Sequence, residues 1–176
     1  MDECGVNTVP KKIPKVVSMK GKKLVGKIVS AERGQTITLV CAMSVTGNFI
    51  PPAFIFARKR MQGYLLNNAP HGSIGMVSDS GFINSELFID YLYHFKDNVQ
   101  PTNDNHILFI LYNHSSHISL AAINFCRDNN IHVLTLTPHS SHKMQPLDRG
   151  FFSPLKVKFA YECDKWLSHH LGRVIG

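Results

Sequence analysis

Two short apolar runs, His106-Ile107-Leu108-Phe109-Ile110-Leu111 and Ile131-His132-Val133-Leu134-Thr135-Leu136, flank a helical pattern over 118–129. Leu120, Ile123 and Cys126 recur there at helical spacing, and Asn129-Asn130 supplies the stop. Strand, helix and strand with short connections form a βαβ unit, so the two strands are expected to be parallel and joined by a right-handed crossover. This fixes where chemistry is expected, because parallel strands deliver the residues that follow them to one sheet edge. The first strand delivers Tyr112, followed by Asn113-His114-Ser115-Ser116-His117; the second leads into Thr137-Pro138-His139-Ser140-Ser141-His142-Lys143-Met144-Gln145-Pro146-Leu147-Asp148.

The rest of the chain builds outward from that unit. Thr36–Met43 is rich in β-branched and apolar residues, Thr46-Gly47-Asn48 has turn chemistry, and Phe49–Phe56 follows, which predicts a β-hairpin. Pro51 and Pro52 cannot donate to a ladder, so the second strand of that hairpin is expected at a sheet edge. A loop with Arg58-Lys59-Arg60 and Gly63 leads to Leu87, Phe88, Tyr91, Leu92 and Phe95, an amphipathic helix of about 83–97 capped by Asn84 or Ser85. Pro154 near a helix start, then Leu155, Phe159, Cys163 and Trp166, predict a closing helix to about Leu171.

At 176 residues and 44% apolar composition the chain is long enough for one domain with a real core. Its net charge is +7, and seven lysines (Lys11, Lys12, Lys15, Lys20, Lys22, Lys23, Lys27) occur with no acid between Glu3 and Glu32. Residues 5–34, interrupted by Pro10 and Pro14, read as a basic extended segment suited to phosphates or, as the plainer alternative, as a solvated surface. Cys4, Cys41, Cys126 and Cys163 are scattered without a C-x-x-C pair, as in reduced buried thiols of an intracellular protein. No secretory signal or membrane span is read in the sequence, which predicts a soluble protein.

Hairpin, helix, βαβ unit and closing helix follow the order of a ribonuclease H-like fold. Met1-Asp2-Glu3-Cys4-Gly5-Val6, Ser30-Ala31-Glu32-Arg33-Gly34, Thr46–Pro52, Asn113–His117 and His139–Asp148 resemble the DDE catalytic domain of pogo, Tigger and jerky-type transposases over essentially the whole chain. The resemblance implies a DNA-cutting and joining domain in which three carboxylates hold two Mg²⁺ or Mn²⁺ ions. It carries the first carboxylate onto Asp2, with Cys4 in place of the family's Thr, and the third onto Asp148. The second falls on Tyr112. Two ions about 3.5–4 Å apart clamp the attacking and leaving oxygens of an in-line displacement and need anionic oxygen ligands. A tyrosine hydroxyl with a reference pKa near 10 is neutral at pH 7 and sits a ring further from the backbone than an Asp carboxylate. Loss or crippling of two-metal catalysis is the expectation.

Taken without the resemblance, Asp2 is an acid next to a chain start and Asp148 an acid favouring a helix start. Asn113, His114, His117, His139, His142 and Gln145 are expected to line the site. The two H-x-x-H pairs raise a zinc site, but their spacing argues against one. Nucleic-acid contacts are assigned to the seven lysines above, with Arg58, Lys59, Arg60 and Lys143 nearer the cleft, as salt-sensitive phosphate contacts to DNA. The resemblance adds a nuclear location.

The expected fold class is α/β, ribonuclease H-like with a mixed sheet, its central first strand largely missing because the chain begins at the first carboxylate, unless residues 2–9 are recruited to build it. Residues 1–176 are thus read as a single DDE domain truncated at both ends. Open sheet edges predict self-association or capture of a partner strand. The leading functional reading is a transposase-derived, nucleic-acid-binding domain with impaired catalysis. An active metal-dependent endonuclease using Glu3, Asp79 or another acid is the alternative, and a non-catalytic protein-interaction domain a further one.

Overall fold

The computed structural model describes residues 1–9, 19–22, 34–137, 140–170, 173 and 175. Six strands occur among them: β1 Asp2–Asn7, β2 Thr36–Cys41, β3 Ala53–Ala57, β4 Ile74–Ser78, β5 Ile107–Tyr112 and β6 Ile131–Leu136. The helices are α1 Ser85–Val99, α2 Leu120–Asp128, the single turn α3 Ser141–Met144 and α4 Phe152–His169. Strand order is β1-β2-β3-β4 in one group and β5-β6 in a second. β1, β2 and β3 are antiparallel in sequence, whereas β4 is parallel to β3 and β6 to β5, so the sheet is mixed.

The two strands of the βαβ unit are parallel, as expected, with Ile107 paired to Ile131 and Tyr112 to Leu136. The expectation of a largely missing first strand is corrected. Residues 2–7 form β1, laddered to β2 from Asp2 opposite Cys41 to Asn7 opposite Thr36, because Cys4 and Val6 have the alternation needed to bury one face. What is absent among the described residues is a ladder between β1 and β5. The link there is the Met1 nitrogen donating to the Ile110 carbonyl at 2.8 Å.

Two further strand expectations change. Pro51 and Pro52 precede β3 rather than lie in it, so β3 is flanked by β2 and β4 and is not an edge strand. β4 occupies a stretch read as loop, since Gly75 and a five-residue length leave little pattern.

α1 and α2 cover one face of the sheet over a core that includes Val40, Ile55, Phe88, Tyr91, Leu92, Phe109, Leu111 and Ile131. Asn84 caps α1 by accepting from the Leu87 amide at 2.8 Å, and Ser119 caps α2 through the Ala122 amide at 3.2 Å. α2 ends at Asn129, and Asn130 takes φ +56°, a left-handed conformation that Asn tolerates. Its inward residues are Ala122 and Cys126, with Phe125 packed against the core, whereas Leu120 and Ile123, expected inward, are exposed. α4 covers the other face of β1–β3 over Cys4, Leu39, Cys41, Leu147 and Phe152. Of its expected seam, Cys163 is buried and Leu155 half-buried, but Trp166 is exposed and stacks on His170 at 4.3 Å.

Candidate active site

β1 passes between these two layers, and its pleat sends neighbouring acids to opposite sides. Asp2 shares a face with Cys4 and, across the ladder, with Cys41 and Leu39, which is the α4 side. Glu3 points with Val40 towards the α1 side. In β5, Phe109 and Leu111 lie in the α1-side core, so Tyr112 belongs to the same face as Asp2. The turn after α3 runs through buried Gln145 and Leu147 and delivers Asp148, at the start of a π-helical turn leading into α4, to that face as well.

The electrostatics agree with this placement. Burial lifts the Asp2 carboxyl from its ordinary 3.8 to about 6, and the negative charges of Asp148 and Glu3 add to the rise against a backbone hydrogen bond at Glu3. One oxygen of Asp2, Oδ2, is buried without a hydrogen-bond partner. Burial also raises the Cys4 and Cys41 thiols, Cys41 to about 12; in Cys4 the neighbouring Lys156 ammonium opposes the rise. Lys156 escaped the sequence reading, although its signal is present: Asp148, Phe152 and Lys156 stand four residues apart and so share one side of the turn into α4.

A buried carboxylate oxygen lacking a donor, beside a second carboxylate, suits one hard divalent cation. Asp2 and Asp148 are the residues that would hold it. A two-ion site needs more anionic oxygens than this, and among the described residues no cluster of three or more His, Cys, Asp or Glu side chains has metal-binding geometry. The second family position, Tyr112, contributes a phenol in place of a carboxylate.

Glu3 is not a substitute ligand, because its Oε1 accepts from His117 Nε2 at 2.8 Å on the opposite face. The Nδ1 of the same ring donates to the Tyr112 carbonyl at 3.1 Å. Both His117 nitrogens are therefore engaged, which removes it from any zinc set. Asp79, which follows β4, stands three strands from β1, about 14 Å across, at the far end of β3 and β4.

The other expected site residues divide. His114 is exposed and accepts at Nδ1 from the Ser116 hydroxyl and amide at 2.7 and 3.3 Å, capping the short turn Ser115–His117. Asn113 is exposed beside it. Gln145 is buried and donates to the Met1 carbonyl at 2.9 Å, so it ties the start of β1 to the segment that carries Asp148. His139 and the His142 side chain lie outside the described residues, as do Lys11, Lys12, Lys15, Lys23 and Lys27. Lys20 and Lys22 are exposed around Gly21, and Lys143 is exposed one turn before Asp148. Arg58, Lys59 and Arg60 leave the far end of β3, about 20 Å along the strand from the rung of Asp2, and Arg58 donates to the Tyr64 hydroxyl at 3.0 Å. The expectation that this triplet lies near the cleft is corrected.

The pre-cleavage Mos1 transpososome superposes on 96% of this chain and 46% of its own with a TM-score of 0.62 at 16% identity. The Mos1 mariner paired-end complex with Mn does so over 99% and 47%, with a TM-score of 0.58 at 15% identity. These likenesses show the fold: a mixed α/β, ribonuclease H-like domain shared with the Mos1 transposase. The chain spans about half the length of those transposases. A protein from Cochliobolus lunatus named "MFS-type transporter clz9" is 32% identical over 153 residues, 84% of this chain but 16% of that protein. That name describes a much longer polypeptide, and no helix among the described residues here is long and apolar enough to cross a membrane. The pattern of the DDE superfamily endonucleases matches residues 34–173. The chain therefore belongs to the DDE superfamily endonuclease family.

Proposed function

We propose that this chain is a transposase-derived DDE domain that binds DNA through phosphate contacts and is impaired in strand cleavage. The observation that carries the reading is Tyr112, which ends β5 on the face that holds Asp2 and Asp148. Asp2 and Asp148 hold at most one Mg²⁺ or Mn²⁺, which would polarise a phosphoryl oxygen when bound. The metal named in the Mos1 complex supports the choice of ion. Tyr112 presents a hydroxyl that donates a hydrogen bond to phosphate and supplies no charge. Lys156, beside Cys4 on the carboxylate face, and Lys143 act on the phosphodiester backbone as cations. Lys11, Lys12, Lys15, Lys20, Lys22, Lys23 and Lys27 are assigned further phosphate contacts that read no sequence, as is the Arg58–Arg60 triplet, away from the carboxylate face. The motifs at Asn113–His117 and His139–Asp148 favour pogo, Tigger and jerky-type relatives and, with them, a nuclear location.

Nicking of supercoiled plasmid in Mn²⁺ tests the reading. The expected result is no metal-dependent nicking by the unmodified chain and measurable nicking by Tyr112→Asp. Efficient nicking by the unmodified chain that Asp2→Asn abolishes would overturn it. Duplex binding in the same assay is expected to weaken as salt rises, with the logarithm of affinity falling linearly with the logarithm of salt concentration.

A further inference from the structure

We infer that Glu3 and His117 are positioning residues that hold the carboxylate face in register in place of a β1–β5 ladder, themselves touching neither metal nor nucleic acid. The inference rests on the reading of Asp2, residue 112 and Asp148 as one site. The sheet is laddered from β1 to β4 and from β5 to β6, and no strand pairing joins the groups among the described residues. Yet Asp2 belongs to one group and Tyr112 to the other. Three contacts bring the start of β1 to its surroundings: Met1 to Ile110, Gln145 to Met1, and Glu3 to His117. The last is the one that reaches residue 112.

His117 suits this work because it is itself fixed. It is buried, its ring lies 4.6 Å from that of Phe88 on α1, and its amide donates to the His114 carbonyl at 2.9 Å. Its ring faces an acceptor at each nitrogen, the Tyr112 carbonyl at 3.1 Å and the Glu3 carboxylate at 2.8 Å. The ring therefore bridges β1 and the end of β5 through a hydrogen bond at each nitrogen. Because Asp2 is the residue next to Glu3, fixing Glu3 against the carbonyl of residue 112 fixes the Asp2 carboxylate on the other face. The clamp is geometric, so an amide at position 3 can keep it: a Gln side chain donates to Nε2 of a neutral ring whose Nδ1–H stays on the Tyr112 carbonyl.

Native-state thiol labelling read residue by residue tests this, because Cys4 and Cys41 lie on the Asp2 side of β1 and β2 while Cys126 and Cys163 lie on α2 and α4. Glu3→Ala is expected to speed labelling of Cys4 and Cys41 about tenfold and to leave Cys126 and Cys163 within about twofold. Glu3→Gln should stay within about threefold of the unmodified chain at all four. Unchanged Cys4 labelling in Glu3→Ala, equal acceleration at all four thiols, or Glu3→Gln matching Glu3→Ala would each overturn the inference. In a Tyr112→Asp background, Glu3→Ala should also weaken Mn²⁺ binding by about tenfold and Glu3→Gln should not. Absence of Mn²⁺ binding by Tyr112→Asp itself would sink the reading of the site, and the labelling would still decide the clamp.

Discussion

Asp2 and Glu3 are adjacent acids on one strand, yet the two sides of β1 treat them in opposite ways. On the α1 side, Glu3 has a hydrogen-bond partner in His117, and that ring is held in turn by a backbone carbonyl and an aromatic ring. On the α4 side, Asp2 is half-buried next to another acid, its carboxyl is raised to about 6, and one buried oxygen has no donor. A side chain that is satisfied holds structure; one left strained by burial and like charge marks a place where something else is meant to bind. The contrast separates scaffold from site within two residues, and it explains why a nearby acid does not make good the loss at position 112.

Removing the satisfied side should cost most. His117→Ala leaves Glu3 partly buried without its hydrogen-bond partner and opens a gap against Phe88, and urea unfolding should show a loss of about 3 kcal/mol. A loss below about 0.5 kcal/mol would mean that the pair is no more than a surface contact. Tyr112→Asp should come next: adding a third acid to the Asp2 face is expected to lower stability by about 2 kcal/mol without metal, and millimolar Mn²⁺ should recover most of it. Destabilisation that Mn²⁺ leaves untouched would place residue 112 outside the site.

Asp2→Asn should have the smallest effect and the opposite sign. The folded-state pKa of Asp2, about 6, lies above the ordinary 3.8, so the folded state binds this proton more tightly than the unfolded chain. Any stability from Asp2 is then fully present below about pH 3.8 and lost as pH rises through about 6. Asn, which never ionises, should therefore stabilise the protein by about 1 kcal/mol at pH 8, allowing for solvent screening, and the gain should vanish near pH 3.5. A gain that persists at low pH would mean that packing, not charge, sets the difference.

Sequence and structure agree where periodicity is strong and part where the deciding contact is distant. The βαβ unit, α1 with its Asn84 cap and the β2–β3 hairpin are written in local pattern and turn chemistry. β4 is not, because Gly75 and the turn at Gly72 blur its alternation and its pairing with β3 decides its conformation. The buried face of α2 differs from the expected one because small Ala122 packs inward beside Cys126 while the larger Leu120 and Ile123 remain in solvent. At the site, no spacing rule connects Asp2 with Asp148, and family motifs alone suggested their meeting. Nothing in the local sequence announces that Glu3 reaches His117, since the contact depends on how β1 docks beside β5. The Arg58–Arg60 triplet failed for the same reason: strand direction, which composition does not reveal, carries it to the far end of the sheet.

The central claim is that a neutral residue at the end of β5 leaves this face with charge for one divalent ion at most. Mn²⁺ stoichiometry measured by electron paramagnetic resonance tests it most directly, on the unmodified chain and on Tyr112→Asp. The account predicts no more than one weakly held Mn²⁺ per unmodified chain, lost in Asp2→Asn, and two in Tyr112→Asp. Two Mn²⁺ ions bound to the unmodified chain, both lost on Asp2→Asn, would contradict it.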